Sequence, residues 1–134
     1  TRGAEYDPRV GSRIHGGERM GAADYIDLVE ARRRWIAQVE ARLEAFDALL
    51  MPTVPIAPPR IDALQADDAV YFATNALILR NPTLINFLDG CALSLPCHAP
   101  GEPPVGLTLA GSGGRDRAML ALGQGVERVL AAGR

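Results

Sequence analysis

Two short apolar runs, Ala92–Pro96 and Val105–Ala110, flank a loop at His98–Pro104 that is dense in proline. Runs this short, bounded by turn-formers, read as strands rather than helices. Any fold for the chain must therefore house a sheet. A third strand is expected at Ala48–Met51, a short apolar stretch stopped by Pro52. Pro55, Pro58 and Pro59 then hold the chain extended. A proline-rich docking ligand is disfavoured there, because the stretch lacks a basic flank and isolation from the fold.

Between and around the strands the apolar spacing is helical. Val29, Ile36, Val39, Leu43 and Phe46 form one stripe, with Ile26 and Trp35 beside it, and predict an amphipathic helix over Ala22–Phe46. Glu30 and Arg34 are spaced as an i,i+4 pair on its wet side. Residues 1–21 are a connecting region with a short turn from Pro8 to Ile14. Asp67–Leu79 is a second helix giving way at Asn81-Pro82, Thr83–Leu88 is ambiguous, Gly111–Gly114 is a turn, and Arg115–Leu130 is the last helix. In that helix Met119, Leu122, Val126 and Val129 are the expected inward positions. Helices interleaved with short strands indicate an α/β architecture, part of a larger sheet. With 134 residues the chain has the length of one compact domain, residues 47–134 carrying the strands and the later helices.

Composition narrows the function classes. Apolar residues are 48% and charged residues 22%, as in an ordinary folded protein. No apolar run reaches the length of a membrane span, and Thr1–Glu5 has no signal-like segment. Cys91 and Cys97 make no disulfide framework, so a cytoplasmic location is the simpler expectation. The net charge of −2 argues against a nucleic-acid partner, and Arg32-Arg33-Arg34 would fan around a helix rather than form one basic stripe. All fourteen positive residues are arginine. Arginine stays protonated, so a mechanism that needs a neutral lysine must find it outside these residues.

The usual reactive constellations are missing. His15, His98, Cys91 and Cys97 lack the spacing of a zinc knuckle, and no metal or cofactor is expected. Both cysteines read as small buried hydrophobes. Ser12, Ser94 and Ser112 are the only serines, and none lies in a G-x-S-x-G elbow. Ser12, His15 and Asp24 make a triad only on paper, and Ser94, mid-strand, is expected to bond locally. Gly111-Ser112-Gly113-Gly114 could form an anion nest, but a plain strand-to-helix turn is preferred. Arg80, Asn81, Asn86 and Asp89 interrupt apolar surroundings, as polar groups in a pocket wall would. For Asn81 and Asp89 the competing reading is capping of loose backbone amides.

Four ordered blocks carry a resemblance. FDALLMPTVPIAPP, NFLDGCALSLPC, PPVGLTLAG and the closing GRDRAMLALGQGVERVL resemble the carboxy-terminal portion of the amidase signature family, with YDPRVGSRIHGG upstream similar to the stretch that leads into its long helix. The resemblance implies a segment of a mixed sheet flanked by helices, taken from a hydrolase of small-molecule amides that uses a Ser-Ser-Lys triad. It implies that the triad lies in a missing amino-terminal part, so that no catalytic residue lies here and the segment alone is inactive. Exposed edges would invite homo-oligomers. Arg13 corresponds to an arginine that can hold a substrate carboxylate in the amidating component of the glutamyl-tRNA amidotransferases. The aspartate of the ND pair found in those amidotransferases is absent after Asn75, which points to a general amidase instead. A noncatalytic structural or oligomerising remnant, and a small ligand-binding domain using Arg13 and Arg80, are the alternatives.

Overall fold

The computed structural model describes residues 2–133, which divide into two units, residues 1–34 and 35–134. In the first unit, helix α1 (Pro8–His15) starts at Asp7, whose carboxylate accepts from the Arg9 amide at 2.8 Å, with Pro8 at the first helical position. Helix α2 covers Ala22–Leu43 and crosses the unit boundary. It stops three residues short of the expected Phe46, which lies beyond it and is 63% exposed. On the wet side Glu30 takes its bond from Arg33 at 2.9 Å rather than from Arg34. Both arginines lie on the face of Glu30, and the i,i+3 rotamer is the one adopted.

The second unit is built on three strands: β1 (Leu49–Pro52), β2 (Cys91–Pro96) and β3 (Gly106–Gly111). Their order is β1-β3-β2, and both pairings are antiparallel. Leu109 lies opposite Leu50 and Leu93, while Thr108 lies opposite Met51 and Ser94. Directly opposed residues share a face, so these two rows line opposite sides of the sheet.

Helix α5 (Asp116–Ala132) covers the Leu109 side. Met119 is buried, and Gly123 lies so close to Leu93 and Leu109 that a methyl group there would overlap the Leu93 side chain. The contact is concentrated in the first half of the helix. Val129, expected to point inward, is 72% exposed, because the buried stripe ends before the last turn.

Helix α3 (Ile61–Ala66) leaves no strong periodic signal in so short a stretch and was not anticipated. At its start Arg60 forks onto the Asp62 carboxylate, and that guanidinium holds Asp62 below the ordinary carboxylate range. Helix α4 (Asp68–Leu88) runs straight through the expected break at Asn81-Pro82. Proline in a helix interior forfeits one backbone bond and costs about 3 kcal/mol. The cost is offset by anchors on the far side of the break: Ile85 and Leu88 are buried, and Phe87 packs on Trp35 with ring centroids 5.3 Å apart.

Asp67 caps α4, accepting from the amides of Ala69 (2.7 Å) and Val70 (3.4 Å). Asp67→Ala should lower stability by about 1 kcal/mol, read as a reduced urea midpoint. An unchanged midpoint would show that the packing of α4 alone sets its start. At the other end Asp89 terminates the helix in the left-handed region, at φ 55°.

Candidate functional site

A cavity of about 340 Å³ opens between α4 and the Thr108 side of the sheet. Met51, Thr53, Asn81, Pro82, Ile85, Asn86, Gly90, Ala92, Ser94 and Thr108 line it. Strand alternation points Ser94 and Thr108 into it as an opposed pair. Thr53 arrives just past the end of β1, its amide held by the Gly106 carbonyl at 2.8 Å. Its Oγ1 bonds to Ser94 Oγ at 2.5 Å and to Thr108 Oγ1 at 2.9 Å. Three hydroxyls from three separate stretches thus form one chain. Gly106 gives them room: a methyl group at that position would sit 2.5 Å from Thr53 Oγ1 and 2.7 Å from Ser94 Oγ. Ser94 therefore does not bond locally, since its strand aims it at partners distant in sequence.

The opposite wall comes from α4. Asn81 Nδ2 donates to the Pro52 carbonyl at 2.7 Å, and Asn81 Oδ1 accepts from Arg80 Nε at 3.3 Å. A carbonyl only accepts and a guanidinium only donates, so the two partners together fix which way this carboxamide faces. Asn81 is therefore no cap. It ties α4 to the end of β1. Asn86 lies further along the same wall.

Of the five residues singled out from sequence, the cavity gathers Asn81 and Asn86. Arg80 stands behind Asn81 and is itself exposed. Asp89 ends α4, its side chain exposed, and its carbonyl would be 2.6 Å from a methyl group placed on Gly113. The Gly111–Gly114 stretch is thereby a close-packed turn against the end of α4, as a strand-to-helix connection should be. Arg13 lies on α1 in the first unit. Thr53, Ser94 and Thr108 were missed as a group, and only the strand register could have united them.

The remaining reactive side chains are occupied structurally. Ser12 donates to the Arg9 carbonyl, His15 Nδ1 pairs with Glu18 at 2.6 Å, and Asp24 accepts from the Gly21 amide. The paper triad is not assembled. Cys97 and His98 both engage the Val105 backbone across the proline loop, and Cys91 donates to the Ser112 carbonyl. Both cysteines are half-buried thiols rather than fully buried ones. No metal-ligand cluster occurs among the described residues.

This arrangement, a three-stranded antiparallel sheet with α4 and α5, has close counterparts. The family model described as Amidase matches residues 1–120. The chain belongs to the amidase family. The amidase chain is 28% identical over 128 residues to the 2-amino-5-chloromuconic acid deaminase of Comamonas testosteroni, covering 95% of itself and 28% of that protein. It is 31% identical over 117 residues to the urea amidolyase of Saccharomyces cerevisiae, covering 87% of itself and 6% of that protein.

Among solved structures it is similar to a variant of Kluyveromyces lactis allophanate hydrolase, with a TM-score of 0.74 at 25% identity over 87% of this chain and 19% of that one. A second, described as an amidase, gives 0.71 at 26% identity over 93% of this chain and 29% of that one. The amidase chain thus spans less than a third of each of these proteins. Its relatives are amidase-signature enzymes, and the balance of them is nearer the general amidases than the tRNA-dependent amidotransferases, as the missing ND pair suggests. No helix among the described residues is long and apolar enough to cross a membrane.

Proposed function

We propose that these residues are the carboxy-terminal segment of an amide hydrolase, supplying scaffold and one wall of its substrate pocket while the catalytic groups lie outside them. The supporting observation is a mismatch: a family match over residues 1–120 coexists with a sequence that holds no lysine. In a Ser-Ser-Lys mechanism a neutral lysine takes a proton through a bridging serine, so that a second serine attacks the amide carbonyl. Backbone amides stabilise the oxyanion, the amine or ammonia leaves, and water cleaves the acyl-enzyme. Arginine cannot replace that lysine, because it does not give up its proton near neutral pH.

The surface suits a segment that packs on further chain. Leu50 is 59% exposed and Ile61 73%. The outer edges of β1 and β2 carry no strand among the described residues. Self-association through such edges belongs to the same reading, as does a cytoplasmic setting in which Cys91 and Cys97 stay reduced.

Incubated with simple carboxamides, the purified 134-residue chain should release no ammonia above the buffer rate. Release that survives stringent purification and disappears in Ser94→Ala would place a nucleophile in these residues and overturn the proposal.

A further inference from the structure

The cavity above the sheet has an unusual composition for its size: none of the ten residues lining it is ionisable. We infer that it takes a small uncharged hydrogen-bonding group, a carboxamide, and rejects a carboxylate. This deepens the reading of the segment as a pocket wall in an amide hydrolase, by naming the substrate class that the wall accepts.

The hydroxyl chain carries the argument. Thr53, Ser94 and Thr108 bring three protons, and the two bonds among them use two. One proton and several lone pairs are left to face the cavity. Asn81 spends one amide proton on the Pro52 carbonyl and keeps the other. The walls thus offer donors and acceptors together. A primary carboxamide needs that mixture, an acceptor for its N–H groups and a donor for its carbonyl. A carboxylate needs donors only and would meet surplus lone pairs.

Solvation points the same way. An anion leaving water requires a compensating charge, whereas a neutral amide requires only matched bonds. The cation nearest the cavity along the bonding network is Arg80, which is exposed and turned onto the outer oxygen of Asn81. It orients that side chain and does not line the site. Met51, Pro82, Ile85 and Ala92 supply the apolar remainder, which suits a short alkyl group beside the amide.

The test is a titration of the isotope-labelled chain with propionamide and, separately, sodium propionate at equal ionic strength, followed by amide NMR. Propionamide should shift Ser94, Thr108 and the Asn81 side-chain NH2 signals saturably, and propionate should not. Thr108→Val removes one hydroxyl at nearly constant shape and should weaken propionamide about fivefold. Met51→Lys places an ammonium in the cavity and should create propionate binding.

Equal shifts from propionate in the unaltered chain, or none from either compound, would overturn the inference. Because the titration reads binding alone, its failure is separable from that of the hydrolase reading. Intact propionamide selectivity beside ammonia release by the segment's own serine would overturn only the latter.

Discussion

Leu109→Ala should lower the unfolding free energy by about 3 kcal/mol, the cost of a fully buried leucine lost with incomplete collapse around it. Leu109 is 1% exposed, sits mid-way along the central strand, and faces Leu50 on one side and Leu93 on the other. Gly123 of α5 lies close above, so no neighbour has a long side chain free to fill the hole. The consequence is magnified by the small core. Ile85, Leu88, Leu95, Leu109, Ala110 and Met119 are the buried apolar residues among those described. With total stabilities of about 5–15 kcal/mol typical of domains, so thin a core leaves little margin. Urea denaturation should therefore show Leu109→Ala partly unfolded before denaturant is added. A loss below about 1 kcal/mol would mean that the sheet and α5 are held together by something other than this contact.

Gly90→Ala should cost about 2 kcal/mol by overpacking, for a different reason. Its backbone is not in the left-handed region, so no conformational strain is involved. A methyl group there would sit 2.6 Å from the Gly111 carbonyl oxygen and 3.3 Å from both Ile85 and Leu88. The first of these is backbone in the central strand and cannot swing aside as a side-chain tip would. Gly90 also lines the cavity, so the same substitution should reduce propionamide binding. A thermally neutral Gly90→Ala would show that the α4–β2 corner is looser than its close contacts require.

Much of this was legible from local patterns. The three strands fall within a residue or so of their expected limits, because proline and glycine punctuate them sharply. The family blocks were readable for the same reason, since PT-P and SLPC are turn and strand chemistry at fixed separations. Helix α4 was not, because a proline rule that holds locally was overridden by Ile85, Leu88 and the Trp35–Phe87 contact, all of which are tertiary. Asn81 was correctly marked as polar in an apolar setting, but its partner Pro52 lies 29 residues away. The hydroxyl chain spans 41 and 55 residues and has no local signature. Its members are ordinary strand-face residues until the pairing register brings them together.

That register has a consequence for how the molecule assembles. The middle strand is the last of the three to be synthesised, so β1 has no neighbour to pair with until residues 106–111 exist. The β2–β3 ribbon closes over a short loop, whereas β1 must be recruited across more than fifty residues, the slower event. Thr53 travels with β1. The completed hydroxyl chain is therefore a late product of folding, and a chain whose first strand has detached keeps its ribbon but has no receptor.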